Sequence, residues 1–201
     1  LYISQILNEG RLGLAEEKCR AFLKKNPTHT YAMSLLAEIA NRLGYFDDAE
    51  FLLEKAVEFS PGDGDLRMKY AEILRKKQKF SKTMEQVEIL CEKFPNNLNY
   101  KAQKASEIMQ NGDHEEAINI LNDILKKNPY NFSTLTSRGH AQKTLGKTDQ
   151  AIKSYQSAYQ IKPDHGEAFF SLANLKTYSF TNQELDNMRA QVERIDLSLS
   201  L

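Results

Sequence analysis

Five prolines recur along this chain at one fixed interval, and no other feature restricts its possible folds as strongly. They are the only prolines among the 201 residues, and each lies 34 residues after the one before: Pro27, Pro61, Pro95, Pro129 and Pro163. A constant period of roughly 20–50 residues is the signature of a protein built from stacked copies of one supersecondary unit. Because proline stops a helix, each copy is predicted to end where a proline stands.

Other positions of the period each carry one kind of residue. Seventeen residues before the proline, four of the five copies have glycine, which allows a helix to end in a tight turn, and Gln78 is the exception. Twelve residues before it every side chain is small, and 24 residues before it four of five are small: Ala15, Ala49, Thr83, Ala117 and Ala151, then Ala37, Ala71, Ala105 and Gly139. Small side chains on two helices let the helix axes approach closely. Each copy is therefore predicted to contain helix A, a turn and helix B, and no strand-like alternation interrupts the pattern.

This combination of residue types and period resembles the tetratricopeptide repeat family over about residues 1–178. The resemblance implies an all-α fold, a right-handed superhelical solenoid of helix–turn–helix repeats in which helix A lines the concave side. We predict one domain over residues 1–201. Its parts are a truncated first repeat (1–29), full repeats (30–63, 64–97, 98–131 and 132–165), helix A of a last unit (166–180) and a capping helix (181–195). Since Leu1 falls inside a helix A, we expect further sequence before it.

The C-terminal segment leaves the period after Phe180. Helix A of the last unit is predicted over about Gly166–Thr177, and Thr181 and Glu184 have the spacing of a capping box, which starts a new helix. An apolar stripe follows on that helix, formed by Leu185, Met188, Val192 and Ile195. This stripe is predicted to cover the end of the solenoid.

The stretch Gly166–Tyr178, with Phe180, Thr181, Glu184, Met188 and Asp196–Ser198 beyond it, resembles a junction found in certain bacterial proteins. Those proteins fuse tetratricopeptide repeats to a sulfotransferase-like domain. The resemblance implies a non-catalytic, substrate-presenting region, whose catalytic domain would lie beyond Leu201. The 201 residues themselves contain no glycine-rich or Lys-Ser/Thr phosphate-binding loop.

Composition argues against several classes of function. Lys and Arg together number 27, as do Asp and Glu, so the basic excess that favours nucleic-acid binding is absent. No apolar run approaches the roughly 20 residues that span a bilayer. Cys19 and Cys91 lie far apart in no metal-ligand spacing and are predicted to be buried thiols on the core side of helix B, in a cytoplasmic protein.

The sequence contains no arrangement typical of an active site. Of the histidines, His29 and His165 each follow a proline by two residues and are predicted at helix starts, whereas His140 is predicted on the concave side. No metal-binding histidine pair, nucleophile elbow or dinucleotide loop occurs. We therefore predict no enzyme activity, no catalytic or metal-binding residue and no cofactor.

Function is instead predicted on the surface that helix A lines. From the geometry of the family, the residues expected in the groove are Tyr31, Met68, Lys69, Glu72, Arg75, Asn99, Gln103, Ser106, Met109, Gln110, Ser137, His140, Lys143 and Asn174. Asn, Gln and Ser side chains can hydrogen-bond the backbone of an extended peptide. The predicted partner is a protein or extended peptide segment. Two alternatives remain open, namely side chains that only keep the groove soluble, and self-association through an exposed end of the solenoid.

One specific clamp is not expected. Members of the family that bind chaperones hold a C-terminal carboxylate with Lys, Asn and Arg on helix A, and the resemblance puts these sites at Ser34, Glu38 and Lys69. The Lys and two Asn required there are absent.

Overall fold

The computed structural model describes the backbone of residues 2–199 and the side chains as far as residue 193. Within residues 2–199 the regular structure consists of twelve α-helices and no strand, which confirms the all-α class. The helices are α1 (Tyr2–Asn8), α2 (Leu12–Lys25), α3 (Thr30–Arg42), α4 (Phe46–Phe59), α5 (Gly64–Lys76), α6 (Phe80–Lys93), α7 (Leu98–Gln110), α8 (His114–Lys127), α9 (Phe132–Thr144), α10 (Thr148–Ile161), α11 (Gly166–Ala173) and α12 (Asn182–Leu199). Odd-numbered helices as far as α11 are the predicted helices A, and even-numbered helices as far as α10 are helices B.

The chain divides into two compact units, over residues 1–100 and 101–201. In the first unit one apolar cluster joins α1, α2 and α3 and includes Leu7, Cys19 and Ile39. A second cluster joins α3, α4 and α5 around Leu53 and Leu74. The second unit has a cluster around Leu135, Tyr155 and Leu172, which joins α9, α10 and α11. The assignment of one domain stays a prediction.

The small residues of the period are located where paired helices approach. All five predicted on helix B are fully shielded from solvent, and so are Ala71 and Ala105 on helix A. Gly139 departs from alanine for a steric reason, because a Cβ atom at this position would lie 2.4 Å from Cε1 of the buried Tyr155 ring. The large ring on helix B thus requires glycine on the facing helix A.

The predicted turns have left-handed backbone geometry. Gly10, Gly44, Gly112 and Gly146 have φ values of 76°, 82°, 92° and 72°. Gln78, the exception in the sequence, has the same geometry, with φ of 57°. Its turn also makes the same pair of hydrogen bonds as the glycine turns, from the Gln78 amide to the Arg75 carbonyl (2.8 Å) and from the Lys79 amide to the Leu74 carbonyl (2.9 Å). The turn is therefore retained where the sequence lacks its usual residue.

Helix A of the last unit is shorter than predicted. Helix α11 ends at Ala173 and does not continue to Thr177, because the chain turns at Asn174 and Lys176 has a φ of 57°. This turn brings Tyr178 and Phe180 back against the apolar cluster of the second unit. Partial burial of these two aromatic side chains stabilises the turn that ends α11.

The capping box is confirmed, but the stripe behind it is not buried. The Thr181 amide donates to Glu184 Oε2 (2.8 Å), and the Glu184 amide donates to Thr181 Oγ1 (3.3 Å). Within the predicted stripe, Leu185 is 36% and Val192 58% exposed, whereas Met188 is half-buried. Ile195 lies outside the described side chains.

The two cysteines also differ from one another. Cys19 is fully buried as predicted, and its thiol donates to the Ala32 carbonyl at 3.2 Å. Burial raises the pKa of this thiol, which keeps it in the unreactive protonated form. Cys91 is only half-buried, so the prediction of a buried thiol is wrong there.

Candidate functional site

A pocket between α3 and α5 in the first unit brings together residues of two neighbouring helices A. Its volume is about 230 Å³. The lining consists of polar side chains around a small apolar floor: Ser34, Ala37, Glu38, Asn41, Leu53, Lys69, Glu72 and Ile73. Residues 34, 38 and 41 share one face of α3 because the helix repeats every 3.6 residues or so. This surface is called the α3–α5 pocket below.

The polar groups of the α3–α5 pocket are only partly engaged. Glu38 forms an ion pair with Arg42 one turn further along α3. The Asn41 side-chain oxygen accepts a hydrogen bond from Lys76 Nζ at 2.7 Å, which links α3 to α5. In the part of the chain that the structure describes, Lys69 and Glu72 have no hydrogen-bond or ion-pair partner for their charged groups. A cation and an anion therefore remain available beside the pocket.

The other residues predicted in the first unit have mixed accessibility. Tyr31 is 51% exposed, and its hydroxyl shares a 2.9 Å hydrogen bond with Ser4 Oγ. Met68 is half-buried and Asn99 exposed. Arg75 is half-buried, and its Nε and Nη2 atoms are shielded from solvent. Arg75 is therefore a poor candidate for binding a ligand carboxylate through both sides of its guanidinium group.

In the second unit, both ring nitrogens of His140 make hydrogen bonds. Its Nε2 lies 3.1 Å from Glu167 Oε1, and its Nδ1 lies 3.0 Å from the Tyr155 hydroxyl. Burial raises the pKa of Tyr155 to about 12, so this hydroxyl keeps its proton. The Glu167 carboxylate can only accept, so the imidazole donates to it from Nε2. The two contacts hold the His140 ring in one orientation.

His165 lies close to Glu167 and stands at the start of a helix, as predicted. It precedes α11, and its Nε2 shares a 2.9 Å hydrogen bond with Thr136 Oγ1. The same nitrogen is 3.9 Å from Glu167 Oε2, so Glu167 faces two imidazoles. No group of three or more potential metal ligands occurs among the described residues.

The remaining predicted residues of the second unit are all at least partly accessible. Gln103 is half-buried and donates to Glu107 Oε1 at 2.6 Å. The half-buried members are Ser106, Met109 and Ser137, and the exposed members are Gln110, Lys143 and Asn174. The Ser137 hydroxyl donates to the Ser133 carbonyl of its own helix at 3.1 Å.

The selection from sequence omitted Glu167 and Tyr155, the two partners of His140. A usable signal existed for Glu167. Glu167 follows His140 by 27 residues, and Tyr31 follows its partner Ser4 by the same interval. This interval is one period less about two helical turns, so it pairs side chains on neighbouring helices A. Tyr155 is on helix B, and its distance in sequence from His140 is not one that the period defines.

The fold and these surfaces define a class, the all-α proteins built from stacked helical hairpins. Across the described residues, no helix is long and apolar enough to cross a membrane. A family model described as the N-terminal tetratricopeptide repeat region of Psidin matches residues 66–190, more than half of the chain, and a tetratricopeptide repeat model matches residues 7–80. The chain belongs to the tetratricopeptide repeat family.

Individual relatives are distant in sequence. The DnaJ protein P58IPK homolog of Arabidopsis thaliana is 25% identical over 217 aligned positions, which cover 98% of this chain and 45% of that protein. This chain therefore spans less than half of the relative. The crystal structure of YrrB, described as a tetratricopeptide protein with an unusual peptide-binding site, has a TM-score of 0.69 at 16% identity and covers 85% of this chain and 88% of YrrB.

A crystal structure of MamA has a TM-score of 0.72 at 15% identity, with 82% of this chain and 96% of MamA covered. At such identities the structural likeness establishes the fold alone. The likeness of the C-terminal segment to a sulfotransferase junction stays a prediction.

Proposed function

We propose that this chain binds an extended segment of a partner protein along its helices A. The tetratricopeptide fold supports a role as a protein–protein interaction scaffold. The observation that carries the finer proposal is the α3–α5 pocket, where Lys69 and Glu72 lie beside Asn41 without ion-pair partners of their own.

The chemistry of this surface suits a peptide backbone. An extended peptide presents one N–H donor and one C=O acceptor per residue, and it needs partners of both kinds. Glu72 can accept from an N–H, whereas Lys69 can donate to a C=O or to an acidic side chain. Half-buried Met68, next to Lys69 on α5, offers an adaptable apolar contact.

The second unit offers donors and acceptors of a different kind. His140 and Glu167 are held together in one orientation, and Lys143 is exposed one turn further along α9. Since neither His140 nor Glu167 has to be ordered when a ligand arrives, the entropic cost of binding is reduced. We propose no reaction at either surface and expect the chain to act by binding alone.

The proposal can be tested with peptides selected for binding to this chain. Random peptides displayed on phage are selected on the immobilised protein, and the affinities of the best binders are measured by fluorescence anisotropy. Lys69→Glu places a third carboxylate beside Glu38 and Glu72 and should weaken a binder with an acidic residue by about tenfold. Lys143→Glu should act in the same way on ligands that reach the second unit.

Matched controls separate the groove from general charge effects. Lys82→Glu on α6 and Lys153→Glu on α10 make the same change at exposed helix B lysines that have no ion-pair partner among the described residues. Both controls should retain affinity within about twofold, as is usual for exposed charges outside an interface. If the reversals at Lys69 and Lys143 affect no selected peptide more than these controls do, the groove assignment is wrong.

A further inference from the structure

A second pocket lies on the other side of the first helical hairpins. It has a volume of about 190 Å³ and is formed by α2, α4 and the adjacent face of α3. Its lining is mainly apolar: Glu16, Arg20, Leu36, Ile39, Ala40, Leu43, Tyr45, Asp48, Phe51 and Leu52. We call it the α2–α4 pocket.

The α2–α4 pocket and the α3–α5 pocket use opposite faces of α3. Leu36, Ala40 and Leu43 line the former, whereas Ser34 and Asn41 line the latter. At about 100° per residue, Leu36 points roughly 200° away from Ser34 and Leu43 roughly 200° away from Asn41. A ligand bound to helices A does not occupy the α2–α4 pocket, so this pocket needs an explanation of its own.

Large apolar side chains remain exposed around the α2–α4 pocket. Tyr45 is 60% exposed, Phe51 59% and Leu43 41%, and all three line it. A single exposed aromatic residue is ordinary on a protein surface. Three such residues around one concave apolar floor form a contiguous patch, which is typical of a protein-interaction site.

The charges at the edge of the α2–α4 pocket favour a ligand in which a cation stands next to the apolar group that enters the pocket. Arg20 Nε is 2.8 Å from Glu16 Oε1, so these two charges compensate each other. Asp48 is exposed in the first turn of α4, and within the described residues it forms no hydrogen bond or ion pair. The edge therefore carries one carboxylate without an ion-pair partner among the described residues. The exposed rings of Tyr45 and Phe51 could also stack with a guanidinium group.

We infer that the α2–α4 pocket is a second docking site, for a partner segment in which a large apolar side chain stands next to arginine or lysine. The apolar side chain enters between Leu43 and Phe51, onto Leu36 and Leu52. The cation pairs with Asp48. This site is independent of the groove on helices A, and it can be occupied when that groove is empty.

Two blocked dipeptides test the inference on the intact chain. N-acetyl-Phe-Arg-amide and N-acetyl-Phe-Glu-amide are titrated into ¹⁵N-labelled protein, and amide chemical shifts are followed. The arginine peptide should bind with a dissociation constant of about 1 mM and shift the amides of Leu43, Phe51 and Leu52. The glutamate peptide should bind roughly two- to fivefold more weakly, as expected for one exposed charge pair.

Substitutions at exposed positions avoid the question of folding. Phe51→Ala should weaken the arginine peptide by at least about tenfold, because it removes one wall of the pocket. Phe59→Ala is the matched control, since Phe59 is also on α4, is 51% exposed and does not line the pocket. It should change the affinity by less than about twofold. Asp48→Asn should abolish the preference for arginine over glutamate.

Three results would overturn the inference. One is a set of shifts at Lys69 and Glu72 without any at Leu43 and Phe51, which would place the peptide in the groove. Another is equal affinity of the two peptides for the unaltered chain. The third is self-association of the unaltered chain in light scattering that Phe51→Ala abolishes, since a second copy would then be the occupant. Loss of this site leaves the groove proposal untouched, because the groove depends on Lys69 and Lys143.

Discussion

Glu184 holds the start of α12 against α10 and the segment that follows α11, and replacing it should release that helix. The carboxylate is only 7% exposed. Its Oε1 accepts hydrogen bonds from the hydroxyls of Tyr159 and Tyr178, and its Oε2 accepts from the amide (2.8 Å) and hydroxyl (3.0 Å) of Thr181. Glu184→Gln keeps the volume and the capping-box spacing but removes the charge. The substitution therefore removes the ionised form together with one of the two accepting oxygens.

The expected magnitude follows from the pKa of this carboxyl group. Although burial favours the neutral form and opposes the change, hydrogen bonds from Tyr159, Tyr178 and Thr181 together lower the pKa of Glu184 from 4.5 to about 2. A depression of that size corresponds to about 3 kcal/mol in favour of the folded, ionised state. Because the folded pKa lies below the unfolded value, this contribution is complete above about pH 5 and is lost as the pH falls toward 2. At pH 3 about 2 kcal/mol of it should be gone.

Hydrogen exchange measured by mass spectrometry reports on this helix directly. In Glu184→Gln at pH 7, amides within residues 185–193 should exchange up to about a hundredfold faster than in the unaltered chain. The ratio of the two rates should shrink toward one as the pH falls from 5 to 3, since intrinsic exchange cancels in the ratio. Glu193→Gln, an exposed change on the same helix, is the control and should leave the ratio near one. A Glu184→Gln protein whose α12 exchanges within about threefold of the unaltered rate at pH 7 would refute the reasoning.

Two further predictions concern glycine positions and are measured by urea unfolding. Gly139→Ala should destabilise the chain by about 1–3 kcal/mol, because the new Cβ would meet the Tyr155 ring at 2.4 Å. Gly13→Ala in α2 should instead stabilise the chain by about 0.5–1 kcal/mol, because the new Cβ would have no atom within 4 Å. Equal effects of the two changes would contradict the packing account. Gln78→Gly should stabilise by about 1 kcal/mol by relieving a left-handed backbone, and Gly44→Gln should cost a similar amount. A loss of stability in Gln78→Gly would mean that the Gln78 side chain makes a compensating contact.

The positions of the helices could be predicted because the physical constraint on them repeats. Each hairpin needs a small residue where its two helices cross and a left-handed turn between them. A small residue therefore recurs at the position of Ala49 in each copy, and glycine recurs at the position of Gly44. Even Gln78 follows this rule, since the flanking helices require its turn whatever residue occupies it. Periodic features of this kind are visible in one sequence without any structural information.

The C-terminal segment shows where such prediction stops. The stripe of Leu185 and Val192 indicated a helix packed through its apolar face, yet Val192 is 58% exposed while Glu184 is buried. Glu184 accepts hydrogen bonds from Tyr159 on α10 and from Tyr178 in the segment between α11 and α12. Neither partner lies at an interval that the period defines. The capping box predicted the contact between Glu184 and Thr181, but the two tyrosine hydroxyls that bind the same carboxylate leave no local pattern in the sequence.

The candidate site lies between these two cases. The period locates the face of helix A that is proposed to bind a ligand. One position on that face, 23 residues before each proline phase, carries Glu38, Glu72, Ser106, His140 and Asn174 in successive copies. The packing positions of the same helices stay alanine or glycine from Ala37 to Gly139. Packing thus fixes the position of each side chain but not its chemistry. At this position the chemistry changes from two carboxylates in the first unit to serine, imidazole and amide side chains in the second. A ligand segment that binds the first unit at this position should therefore present donors or cations, and one that binds the second unit should present uncharged hydrogen-bonding groups, which the selected peptides will reveal through the positions that tolerate no substitution.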